Sequence, residues 1–186
     1  MIGYKKCLPY LEAFSRVEWF LFGSLTWKFE SRRALTDRAE FNRQRDFRSL
    51  LTVFCIKHRL RYKSLAFYRA REFGGSMQPH YHFLIARHGL EDLSAVQCAL
   101  TLKCLWEKIL TPCDCRGRGI GTADVRPYEG STVLEYCLKR EFDDVGCELE
   151  KSDFLSTQLL RLASRSAPKP RSEKKVEDFF EVPFLA

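Results

Sequence analysis

Two strand-like runs joined by a turn restrict this chain more than any other stretch. Ser64-Leu65-Ala66-Phe67-Tyr68-Arg69-Ala70-Arg71, ending beside Glu72, and Pro79-His80-Tyr81-His82-Phe83-Leu84-Ile85 flank Phe73-Gly74-Gly75-Ser76-Met77-Gln78. The Gly-Gly pair and the following Pro are turn punctuation. Strand side chains alternate between faces, so His80 and His82 share one face while Tyr81, Phe83 and Ile85 enter a core on the other. A hairpin of this kind returns Glu72 to the neighbourhood of His80. Two imidazoles and a carboxylate then become candidate ligands of one metal ion, although an isolated His-x-His is more often two ordinary polar positions on an exposed strand.

The remaining segments supply partners for that hairpin. Val17 to Trp27 is aromatic and β-branched and reads as a central strand. Between about Leu35 and Leu60, Phe47, Leu50, Leu51 and Phe54 fall at i, i+3, i+4, i+7 and mark a helix, with Arg and Lys on much of its other face. Leu102, Leu105, Trp106 and Ile109 repeat that spacing in a second helix over Leu93–Leu110, capped by Asp92 or Ser94 and stopped at Thr111-Pro112. Cys113 to Gly119 reads as a flexible basic loop that touches phosphates. A short strand, Gly121 to Tyr128, and a third helix opening at Ser131 and running through Lys139 complete the order strand, helix, strand, strand, helix, strand, helix. The expected fold is α+β: a ferredoxin-like βαββαβ antiparallel sheet with helices on one side, plus an added C-terminal helix. Phe154 to Leu162 reads as a further short helix, Ser164 to Lys175 as a linker, and Phe179 to Leu185 as an apolar tail that docks on the domain.

Charge narrows the partners. The chain carries 31 Lys and Arg against 24 Asp and Glu, and residues 28 to 72 hold thirteen of the basic and only five of the acidic side chains. Such a concentrated excess is what an anionic polymer recruits, and its Arg-rich make-up suits bidentate phosphate contacts. Nothing reaches the roughly 20 apolar residues that span a bilayer, and no secretory signal is evident, so a soluble intracellular protein is expected. The eight cysteines contain no Cys-x-x-Cys and read as reduced, partly buried small hydrophobes, with Cys104, Cys113 and Cys115 a weak zinc alternative.

On the third helix, Tyr136 and Lys139 are three apart and lie on one face. Alone, Tyr-x-x-Lys reads as a buried phenol with a snorkelling Lys. In order, however, Leu21 to Lys28, Glu72, Pro79 to Ile85, Asp124-Val125-Arg126-Pro127 and Tyr136-Cys137-Leu138-Lys139 resemble the HUH endonucleases. The nearest branch is the single-tyrosine rolling-circle replication initiators of plasmids, phages and small circular DNA viruses, and the resemblance covers about residues 17 to 142.

That resemblance implies residue roles. Glu72, His80 and His82 would hold Mg²⁺ or Mn²⁺, Tyr136 would attack a phosphate of single-stranded DNA to leave a 5′-phosphotyrosine, and Lys139 would orient the phenolate or phosphate. Lys28, Arg32, Arg33, Arg116 and Arg118 are expected to contact DNA. Residues 1–150 would form the origin-binding and nicking domain, and 151–186 a C-terminal helix, linker and tail. Expected partners are single-stranded DNA, an origin hairpin and a host helicase, since the chain lacks the Gly-x-x-x-x-Gly-Lys-Ser/Thr of a fused helicase. No membrane is expected, and the setting would be a bacterial cytoplasm or a eukaryotic nucleus. A Y1-type HUH transposase or relaxase is the near alternative. A non-haem iron oxygenase shares the two-His, one-carboxylate set but needs more strands than this chain offers. A non-catalytic RRM-like module, binding single-stranded RNA or DNA on sheet aromatics, is the alternative of another class.

Overall fold

The computed structural model of the protein describes residues 12–74, 77–112, 117–130, 132–134, 137, 154–156, 158–159 and 161–162. Tyr136, Lys139 and Arg116, and the expected tail, lie outside them. Strands β1 (Trp19–Thr26), β2 (Phe67–Gly74), β3 (Met77–Ala86), β4 (Ala123–Pro127) and β5 (Phe154–Leu155) form one sheet in the order β4-β1-β3-β2-β5, every neighbouring pair antiparallel. Helix α1 (Asp37–Lys57) joins β1 to β2, and helix α2 (Ala95–Cys104) joins β3 to β4. The architecture is α+β, and the order of its first four strands is compatible with a ferredoxin-like sheet. Among the described residues no helix is long and apolar enough to cross a membrane.

Each helix starts where its sequence provides a cap. The Thr36 hydroxyl accepts the Ala39 N–H at 3.2 Å, and Asp37 and Glu40 in the first turn of α1 complement the helix dipole. Ser94 caps α2, and after Cys104 the turns widen into a π-helical stretch, Leu105–Ile109, closed by the Leu110 N–H to the Leu105 carbonyl at 2.9 Å. The stripe Phe47, Leu50, Leu51 and Phe54 is buried together with Leu21, Leu25, Tyr81, Phe83 and Ile85, which places both helices on one face of the sheet.

The opposite face is not bare. Phe14, Val17, Leu134, Cys137 and Leu159 are buried there with Phe22, Tyr68, Ala70 and Leu84. The expected helix over 154–162 begins instead as an edge strand, with Tyr68 opposite Leu155 and Arg69 opposite Phe154, while 158–159 and 161–162 are helical. The segment beyond residue 150 therefore contributes to the sheet and its core.

Two charge expectations change. Arg32 is fully buried, with its Nε donating to Asp46 Oδ2 at 2.5 Å, and Asp46 also accepts the Trp27 indole N–H at 3.2 Å. It serves the interior and cannot reach a DNA backbone. Arg43 is buried as well and donates to the Arg32 and Ala34 carbonyls, tying the helical turn Glu30–Arg33 to α1. Similarly, the loop after α2 is clamped and not flexible at its end. The Gly119 and Ile120 N–H groups bond the Leu110 and Trp106 carbonyls, the Lys28 N–H bonds the Ile120 carbonyl, and a Cβ on Gly121 would strike the Thr26 carbonyl.

Gly23 sits opposite Phe83, whose ring lies over the glycine where a Cβ would be. Gly23→Ala is expected to destabilise the protein by about 2 kcal/mol or more in urea unfolding. Adding Phe83→Leu should recover part of the loss, and strictly additive costs would show that the ring does not need the gap.

Candidate metal centre

The antiparallel register builds the site from three adjacent strands. His80 pairs with Glu72 of β2 and Thr26 of β1, and His82 pairs with Ala70 and Ser24. Pro79, which has no N–H to give, precedes the first β1 partner and lies beside the register shift between Glu72 and Gly74, where a ladder bond is dispensable. All of Ser24, Glu72, His80 and His82 thus fall on the face opposite the helices, as the alternation requires.

One carboxylate oxygen collects both rings. Glu72 Oε2 lies 2.6 Å from His80 Nε2 and 2.7 Å from His82 Nε2, and the two imidazoles stand edge to face at 4.8 Å. The three ligand atoms lie within 4.8 Å of one another, so the group could hold a metal ion. His82 is buried and stacks on Phe22 at 5.9 Å and 14°, while Glu72 and His80 are half-buried.

The second ring nitrogens set the protonation pattern. His80 Nδ1 lies 3.0 Å from the Gln78 carbonyl, which can only accept, so Nδ1 carries a hydrogen. In the neutral ring the Nε2 lone pair then faces the Glu72 oxygen, and two acceptors at this separation require a positive charge between them, either a proton or a metal ion. His82 differs, because its Nδ1 meets the Ser24 hydroxyl at 2.7 Å and a hydroxyl can donate or accept. Burial, then the neighbouring His80, pushes the His82 imidazole down to about 4, so it is neutral and ready to ligate at physiological pH. The donor chemistry fits a cation at the point where Nε2, Nε2 and Oε2 converge.

Ser24 is the residue that sequence reading missed. Its signal was the alternation Phe22, Ser24, Thr26 on β1, which turns small polar groups toward the histidine face. Of the expected DNA contacts, Lys28 and Arg118 are exposed and adjoin at the His80 end of the sheet, where Lys28 Nζ donates to the Arg118 carbonyl at 2.7 Å. Arg33 is half-buried and donates to the Trp27 carbonyl. Arg32 is excluded by its burial against Asp46.

Ser24→Ala removes the group that serves either tautomer of His82 and should weaken Mn²⁺ binding roughly 10-fold in calorimetry, with Ser24→Thr retaining most of the affinity. The depressed His82 value also makes the metal-free fold sensitive to acid. Between the ordinary 6.5 and about 4 the unfolded chain takes up a proton that the folded ring refuses. Stability in EDTA should therefore be full above pH 6.5 and decline as the pH falls toward 4, by about 3 kcal/mol at most. A His82→Gln protein should lack that part of the slope in urea unfolding at a series of pH values. No known protein family, no curated protein and no solved structure matches the chain.

Proposed function

We infer that the chain nicks and rejoins single-stranded DNA at a replication origin, in the manner of an HUH endonuclease that initiates rolling-circle replication of a plasmid, phage or small circular DNA virus. The observation that carries this reading is the convergence of His80 Nε2 and His82 Nε2 on Glu72 Oε2. Leu134 and Cys137, which flank Tyr136 in sequence, pack on that same face of the sheet. A divalent ion held there supplies Lewis-acid polarisation of the scissile phosphate and offsets its developing charge. The mixed nitrogen and oxygen donor set lies nearer the habits of Mn²⁺ than the all-oxygen preference of Mg²⁺.

The remaining chemistry belongs to the chain. The Tyr136 phenol passes its proton to solvent water, and its oxygen attacks phosphorus. A Tyr–O–P bond forms as the P–O3′ bond breaks, and the departing oxygen takes a proton to become a 3′-OH. Lys139 offers a cation to the phenolate or to the phosphate. Because the phosphodiester is conserved as a phosphotyrosine, attack by a 3′-OH reverses the step and rejoins a strand. Lys28 and Arg118, both exposed, would contact backbone phosphates in this reading. The RRM-like alternative needs stacking aromatics open on the sheet, yet Phe22 and Tyr68 on this face are buried.

Incubation with a labelled pool of short single-stranded oligonucleotides and Mn²⁺ should give a protein–DNA band that survives denaturation. EDTA should abolish it, and Tyr136→Phe should reduce it roughly a thousandfold or more. Cleavage that persists in Tyr136→Phe would remove this nucleophile, and a pool that is neither bound nor cut would remove the reading.

A further inference from the structure

Beside the triad a cavity of about 340 Å³ opens between β1, β3 and β4, with Ser24 and His82 in its lining and Val133 closing another side. This is the low end of the range for small-molecule sites, roughly 300–1,000 Å³, and suits a single nucleotide unit more than an extended ligand. Its continuity with His82 makes it adjoin any phosphate held at the triad.

Two charges of opposite sign stand at its β4 wall. Asp124 and Arg126 are two residues apart on β4, so they share the face that carries Ser24 and His82. Both are exposed, and among the described residues the Asp124 carboxylate has no hydrogen-bond or ion-pair partner. The Arg126 guanidinium lies over the Phe22 ring at 5.4 Å, with its donors left to face the cavity or solvent. A carboxylate repels a phosphate, so the cavity is unsuited to backbone. The Asp124 carboxylate accepts hydrogen bonds and gives none, so it favours bases whose edge presents amino hydrogens (adenine, cytosine or guanine) over the carbonyl-rich edge of thymine. Arg126 supplies the complementary donor to a ring nitrogen or carbonyl of the same base.

We propose that this cavity is a base-reading subsite for the nucleotide next to the scissile phosphate, in which Asp124 and Arg126 select an amino-bearing base over thymine. The assignment rests on the reading of the chain as a single-stranded DNA nickase, and its test separates the two.

Full-length Tyr136→Phe protein, which binds without cutting, would be used to select a short oligonucleotide from a random single-stranded DNA pool in Mn²⁺. Each position would then be changed in turn and affinity read by fluorescence anisotropy. One position should lose roughly 10-fold in affinity when its base becomes thymine. Asp124→Asn, combined with Tyr136→Phe, should flatten that position to within about twofold while preferences elsewhere persist, and Arg126→Ala should weaken binding of the preferred base most. Unchanged preferences at every position in Asp124→Asn, with DNA still bound, would overturn the subsite and leave the nickase reading standing. A loss of Mn²⁺ affinity in Asp124→Asn equal to that of Glu72→Gln would overturn it too, by making Asp124 a ligand. Absence of any single-stranded DNA binding would overturn both.

Discussion

The two-residue alternation of β3 is the constraint on which the rest of the molecule depends. Flanked by β1 and β2, this strand turns Tyr81, Phe83 and Ile85 into the helix-covered core and His80 and His82 to the other face. A slip of one residue would exchange the two sets, placing imidazoles beneath α1 and setting apolar side chains where the candidate metal ligands converge. The register is further pinned where Tyr81 donates to Glu40 at 2.6 Å and stands edge-on to Trp27 at 4.8 Å. The polar face thus inherits its geometry from the apolar one, and the position of each histidine is fixed by contacts made by its neighbours in sequence.

That core also explains where part of the basic excess goes. Arg69 lies over the Tyr81 ring at 4.4 Å and is buried, while Arg43 and Arg71 approach Glu40 at 2.9 Å and 3.7 Å. Burial raises the Glu40 carboxyl, but hydrogen bonds from Tyr81, Gln44 and Arg43 outweigh it and hold the group below its usual range. Burial pushes the Tyr81 phenol well up, so it remains a neutral donor and a structural tyrosine. A second pair, Arg32 with Asp46 of α1, is fully buried. Removing one partner of such a buried pair strands the other, which is far costlier than the pair is worth.

What the sequence made legible was local and periodic. The hairpin, the stripe of α1, the Ser94 cap and the meeting of Glu72 with both histidines follow from spacings of two, three and four residues and from turn residues. The misses depend on which elements end up adjacent. Alternation on β1 turns Ser24 to one face, but only the pairing of β1 with β3 makes His82, fifty-eight residues away, its cross-strand partner. Arg32 and Arg43 read as surface cations because their carboxylate and carbonyl partners come from tertiary contact. A two-residue strand such as Phe154–Leu155 has no period to detect, and Gly119, the end of the expected flexible loop, is held by a Leu110 carbonyl that its local sequence does not announce.

Placement within the sheet also separates two demands on the polar face. The triad occupies β2 and β3 in the interior of the sheet, where its ligands are half-buried or buried, although β5 pairs with β2 only at Tyr68 and Arg69 among the described residues. Asp124 and Arg126 occupy β4, which among the described residues pairs with β1 alone and presents these side chains to solvent. Exposed positions on an edge strand tolerate exchange with small effect on stability, whereas any change at His82 disturbs Glu72, Ser24 and Phe22 together. Phe22 links the two, because His82 stacks on its ring and the Arg126 guanidinium lies over it, so the edge and the interior can change independently only where Phe22 is kept.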